Sequence, residues 1–316
     1  MAYKFGVDES VRSAILRCAG EQLDRAMFEL REGIGDDPVS AVHSARKAIK
    51  KERSLLRLGR GAMSSEQRKR ENAALREAAR RLSGVRDADV MIASVSQLSD
   101  RFAGQLPEAA FGRLCAHLET RRSAHGRHGD VSVVDDRAVQ ELAAVRARVD
   151  DWQLRKGDWK SLESGLLRSY WRGREAFARA RVNGDMDDLH AWRKRVKDLW
   201  YHERLLAPTC GPTVRGHAKE LDRLSDLLGD DHDLALLRQV LTAASTPVAV
   251  DLDAVVKLID HRRTELQMEA FGIGERSYAE TPKAFRRRMR MSWRAGRALA
   301  RAPHEEHPAH LAAASR

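Results

Sequence analysis

Two nine-residue stretches decide how this chain is read: VHSARKAIK at residues 42–50 and LHAWRKRVK at residues 189–197. Wound at 100° per residue, His43, Arg46, Lys47, Lys50 and, two turns further on, Arg57 all fall within about 60° of the histidine. Ala45, Ala48, Ile49, Leu55 and Leu56 take the opposite side, so the segment is an amphipathic helix with its apolar face committed to a core. His190, Arg193, Lys194, Lys197 and Arg204 repeat the same five offsets, and Trp192, Val196, Leu199 and Leu206 repeat the apolar side. Neither ridge contains a carboxylate. Like charges three and four residues apart destabilise an isolated helix, and a merely solvated face would mix signs. A polyanion lying against both ridges is the economical explanation.

Working outward, further elements match in the same order. Arg81-Leu82-Ser83, followed by Arg86-Asp87 and Asp89-Val90, corresponds to Arg223-Leu224-Ser225, followed by Asp230-Asp231 and Asp233-Leu234. Gly35-Asp36 and Gly184-Asp185 close the charged amphipathic helix that precedes each histidine. The order implies an internal duplication. The text changes between about residues 128 and 158, and the seam belongs there.

Elsewhere apolar residues recur three and four apart and period-two alternation is nearly absent, which predicts an all-α fold of about ten to twelve helices. The single strand candidate is Val131 to Val134. Helix starts are marked by Asp37-Pro38, Leu106-Pro107, Gly211-Pro212 and Thr281-Pro282, by Ser64 with Gln67, and by Asp87, Asp135 and Asp231 as N-caps. Arg168, Arg172 and Arg179 form a short cationic stripe. Lys283, Arg286, Arg287, Arg290, Arg294 and Arg297 form a longer one.

The chain has 316 residues, a formal net charge of +11, 42% hydrophobic and 33% charged residues. Such a balance builds a core, leaves a solvated outside and favours a polyanionic partner. Cys18, Cys115 and Cys210 are far apart, form no CxxC pair and point to a reducing compartment. No segment reads as a signal peptide or membrane span, so a cytoplasmic protein with no membrane partner is expected. Aromatic residues are only 5% of the chain, too few for a base-stacking platform.

Together, the doubled HxxRKxxK helices, the LSGVRDADV and LSDLLGDDHDL segments and the closing SYAETPKAFRRRMRMSWRA resemble the CHAD family, the conserved histidine α-helical domain. The resemblance runs from about residue 8 to residue 300, with repeat one near 8–150 and repeat two near 158–300, and residues 301–316 read as a disordered tail. It implies two pseudo-symmetric four-helix bundles around a basic groove or pore, and binding of inorganic polyphosphate. By motif, the binding positions are His43, Arg46, Lys47, Lys50, His190, Arg193, Lys194 and Lys197. The helical wheel adds Arg57 and Arg204, and the terminal stripe adds Lys283, Arg287, Arg290 and Arg294. Trp200 and Asp198 stand where the first copy has Arg53 and Lys51, so Arg53 joins the binding set from one side only. Such a ligand would also allow association with polyphosphate granules.

No catalytic residue, cofactor or metal is expected. Lys47 and Lys194 occupy the i+4 positions where a second metal ligand would stand, and no phosphate-binding glycine loop or ExExK triphosphatase motif occurs. The alternatives are a metal-binding or phosphohydrolase-accessory domain and a non-specific nucleic-acid binder; weak nucleic-acid binding at low salt follows from any cationic groove.

Overall fold

The computed structural model describes residues 3–82, 87–105, 108–126, 136–155, 157–243 and 252–302. These form eleven α-helices: α1 (Val11–Arg31), α2 (Pro38–Leu58), α3 (Ser65–Arg81), α4 (Asp87–Arg101), α5 (Glu108–Gly126), α6 (Asp136–Val149), α7 (Trp159–Asn183), α8 (Met186–Cys210), α9 (Pro212–Thr242), α10 (Leu252–Ser277) and α11 (Pro282–Arg301). No strand occurs among the described residues. The strand candidate Val131 to Val134, the Leu106-Pro107 start, Asp135 and residues 303–316 lie outside them.

Local chemistry sets many of the boundaries. Asp37, Ser64, Asp185 and Thr281 accept the backbone N–H three residues on, at 3.1, 3.1, 2.7 and 3.2 Å, satisfying donors that a helix start leaves unpaired. Pro38, Pro212 and Pro282 each occupy the first helical position, where a missing N–H costs nothing. The expected cap at Asp231 is not one: α9 runs unbroken through it. Asp231 is buried and faces α10, accepting from Arg263 at 3.0 Å and Gln267 at 2.7 Å, so tertiary pairing takes the carboxylate that a helix start would have used.

The larger core joins the apolar faces of α1, α2, α3 and α6 to those of α7, α8, α11, the first half of α9 and the second half of α10. A smaller core is built by α4, α5, the end of α9 and the start of α10, around Leu98, Phe111, Leu114, Leu237 and Ile259. With 31 residues α9 is about 46 Å long, enough to serve both cores. At Gly165 of α7 a Cβ would collide with the Leu58 carbonyl oxygen, so glycine is what lets α7 cross the end of α2. That crossing fixes α2 against the second half of the chain.

Candidate functional site

The two basic helices touch beyond their ridges. His202 Nε2 donates to the Ser54 carbonyl oxygen at 2.9 Å, and Arg57 pairs with Asp198 at 3.2 Å. Ala45, Ala48, Ile49, Leu55 and Leu56 of α2, and Trp192, Val196, Leu199 and Leu206 of α8, are all buried, which turns the opposite faces outward. Both ridges then line one cavity of about 1010 Å³. Its cationic wall holds His43, Arg46, Lys47 and Lys50 of α2 with His190, Arg193, Lys197 and Arg204 of α8.

Two of these arginines are anchored to backbone. Arg46 donates to the Leu82 carbonyl oxygen at 3.2 Å, and Arg193 donates to that of Ser225 at 3.4 Å. These carbonyls belong to the two matched Leu-Ser elements, one residue apart in register. A Cβ at Gly229 would stand 2.7 Å from the Arg193 guanidinium, so a bare position on α9 gives this side chain its place. Charge held in position before a ligand arrives reduces the ordering cost of binding.

Sequence reasoning missed the opposite wall. Asp222, Asp226, Asp230 and Asp233 of α9 also line the cavity, beside His232. Their spacing of four, four and three keeps them within about 80° on one helix face, which was the available signal. To the expected basic groove the structure adds an acidic side: six Lys and Arg side chains and four carboxylates line the one cavity. Burial, followed by the neighbouring Asp226, raises the pKa of both Asp222 and Asp230.

His190 and His232 stack across the α8–α9 interface, with ring centroids 4.2 Å apart and planes 21° apart. Burial, then His232, Lys194 and Arg193, push the His190 imidazole down to about 4. Burial and Arg193 lower His232 as well. Both rings are thus neutral at pH 7, and Nδ1 of each is shielded from solvent with no partner among the described residues. Among those residues no group of three or more His, Cys, Asp or Glu is placed to hold a metal ion.

The rest of the expected set is not brought together. Lys194 is exposed on α8 and does not line the cavity. Arg57 is turned away by Asp198, and Arg53 donates to Asn72 at 3.2 Å. Lys283, Arg287, Arg290 and Arg294 are exposed on α11, and none reaches the cavity. Arg290 and Arg294 instead border a separate cleft of about 420 Å³ beside Trp159 and Trp293. The periodicity of α11 dictated which face is cationic but not where the helix docks. Its Arg297 is structural, donating to the Val7 and Glu9 carbonyl oxygens.

Fold and site define an all-α protein whose two histidine-bearing basic helices share one cavity. The CHAD domain pattern matches residues 14–242, most of the chain, and the protein belongs to the CHAD family. Among solved structures it is similar to the CHAD domain from the plant Ricinus communis, at 18% identity over 92% of this chain and 95% of that one, with a TM-score of 0.58. It is also similar to PptA from Streptomyces chartreusis, at 11% identity over 91% and 99% of the two chains, with a TM-score of 0.51. Curated protein sequences give no match. No helix among the described residues is long and apolar enough to cross a membrane.

Proposed function

We propose that the protein binds inorganic polyphosphate in the α2–α8 cavity and performs no chemistry on it. The observation that carries this reading is the convergence of six Lys and Arg side chains, from two helices of matching sequence, on one cavity. Polyphosphate offers repeated anionic oxygens and no base edges, so fixed cations with released counterions suffice to hold it. Membership of a family linked to polyphosphate supports the same ligand. On this reading α2 and α8 are the corresponding helices of two repeats, near residues 8–150 and 158–300, and the cavity is their shared groove. The protein acts in the cytoplasm, where granule association would follow from the ligand.

Isothermal titration with length-defined polyphosphate, pyrophosphate and duplex DNA at physiological salt tests the reading. Affinity should climb with polyphosphate length and then level off, because a long chain engages both ridges and the second contact benefits from high effective concentration. Pyrophosphate bound in the cavity as tightly as a long chain, or DNA bound more tightly at equal phosphate concentration, overturns it.

A further inference from the structure

A second cationic cluster lies outside the cavity. Arg195 is two residues from both Arg193 and Lys197, so it projects from the other side of α8. There it donates to Asp198 at 3.1 Å, and Arg57 of α2 reaches the same carboxylate at 3.2 Å. Arg168 and Arg172 of α7 stand within electrostatic reach of Arg195, as does Arg57. Arg68 of α3 is close enough to feel Arg57, Arg168 and Arg60. Four helices thus bring guanidinium groups within electrostatic reach of one another, around a junction fixed by the α2–α7 crossing.

The charge balance here differs from that of the cavity. Among the described residues Asp198 is the only carboxylate in ion-pair contact with any member of the cluster, and no carboxylate pairs with Arg60, Arg68, Arg168 or Arg172. Burial, and then like-charged neighbours, push Arg68 down, and burial pushes Arg195 down. Guanidinium nevertheless stays charged at any physiological pH, so the repulsion cannot be relieved by losing a proton. Nε of Arg68 is shielded from solvent and has no acceptor among the described residues. The cluster is short of acceptor oxygens and of negative charge.

We propose that this arginine junction is a second anion site, distinct from the cavity, for a compact oligophosphate carrying three or more charges. Arginine forks match phosphate oxygens two at a time, and a convergent set favours a short, densely charged anion over a long track. Asp198 is the built-in competitor: it holds Arg57 and Arg195 when the site is empty and repels the arriving anion. The proposal does not depend on polyphosphate occupying the cavity.

Titration of the full chain with sodium tripolyphosphate, without divalent metal, provides the test. The unmodified protein should show the junction isotherm. Arg168→Gln/Arg172→Gln, exchanging residues with no ion-pair partner among the described residues, should weaken that isotherm at least tenfold, whereas Lys50→Gln/Lys197→Gln in the cavity should leave it in place. Asp198→Asn, checked for unchanged helicity, should tighten it by about threefold or more. A parallel titration with ATP separates the sources: equal affinity assigns an inorganic chain and tighter binding a nucleotide, and either supports the site. Unaltered binding in the folded α7 variant, or loss of all tripolyphosphate binding in the cavity variant, overturns the proposal. Failure of long polyphosphate in the cavity variant alone bears only on the cavity.

Discussion

Salt dependence gives a sharp test of the cavity, because its charged groups can be counted. Six Lys and Arg side chains line it. If each neutralises one phosphate, the slope of log affinity against log salt should be about −4, taking roughly −0.7 per contact from single-stranded nucleic acid. Raising salt from about 50 to about 200 mM should then cost roughly 300-fold in affinity for long polyphosphate. Lys50→Gln/Lys197→Gln removes two contacts, so the slope should fall to about −3 and the loss to roughly 50-fold. Asp226→Asn/Asp230→Asn is the discriminating partner variant, since both carboxylates line the cavity. A like charge roughly 6–8 Å away in a water-like dielectric costs about 0.5–0.7 kcal/mol, so losing both should tighten binding roughly fivefold at low salt while leaving the slope near −4. Fluorescence anisotropy of end-labelled polyphosphate across a salt series reads both quantities. An unchanged slope in the lysine variant, or weaker binding in the folded aspartate variant, would refute a ligand lying along the cationic wall.

Three further outcomes follow from buried titratable groups. A bound polyanion favours protonated His190 and His232, which are neutral when free, and favours protonated Asp222 and Asp230 beside Asp226; binding should take up protons and affinity should rise as pH falls from 8 to 6. Titrations in buffers of different ionisation enthalpy measure that uptake, and His190→Gln/His232→Gln should reduce it; an unaltered uptake assigns it elsewhere. His217 lies 2.7 Å from the fully buried Glu203 carboxylate, and although burial alone would lower it, the charge of Glu203 and the hydrogen bond raise it overall. Its stabilisation is complete below the unfolded value near 6.5 and is lost as pH rises through the higher folded value. His217→Ala, leaving that carboxylate unpaired, should cost about 3–5 kcal/mol in urea unfolding, and a cost below about 1 kcal/mol would show that the pair is not isolated from water. Glu52, fully buried, is pushed up to about 8 by burial and then by Glu71, so stability should decline as pH rises from the ordinary glutamate range toward 8. Glu52→Gln should remove a decline on the order of 3 kcal/mol between pH 5 and pH 8, and an identical pH profile would contradict the assignment.

What was legible in the sequence was set by local rules. The apolar stripes of α2 and α8 dictated which faces would be buried, and the offsets of His43, Arg46 and Lys50 and of His190, Arg193 and Lys197 dictated which side chains would emerge together. Caps at Asp37, Ser64 and Thr281 needed only the backbone three residues away, whereas Asp185, read as the end of the preceding helix, also caps the start of α8. The α9 carboxylates were harder to see because Gly229-Asp230-Asp231 reads as a helix start, a reading that assigns Asp231 to a cap and divides Asp222 and Asp226 from Asp230 and Asp233. Only the packing of Asp231 on Arg263 and Gln267 shows one continuous helix. Docking was not legible at all for α11, whose arginines had a defined face and no defined neighbour.

The fate of Arg57 and Arg204 shows how one pair of unlike residues separates two otherwise matched helices. Both arginines occupy the same offset from their histidines, so helix geometry alone would send both toward the cavity. Asp198 of α8 captures Arg57 at 3.2 Å, and Arg195 shares that carboxylate. The matched position on α2 is Lys51, which offers Arg204 repulsion instead of an ion pair. Lys51 is itself buried, with its ammonium 5.5 Å from the Tyr3 ring centroid, and burial followed by Arg204 lowers it to about 8. Arg204 therefore stays with the cavity, its guanidinium 5.6 Å from the Trp200 ring centroid. A carboxylate in one helix and an ammonium in the other thus sort equivalent arginines to different places. This asymmetry leaves Arg204 among the six Lys and Arg side chains that line the cavity with the α9 carboxylates, and gathers Arg57 with Arg195 on Asp198, so the two cationic regions differ in the carboxylates that already balance them.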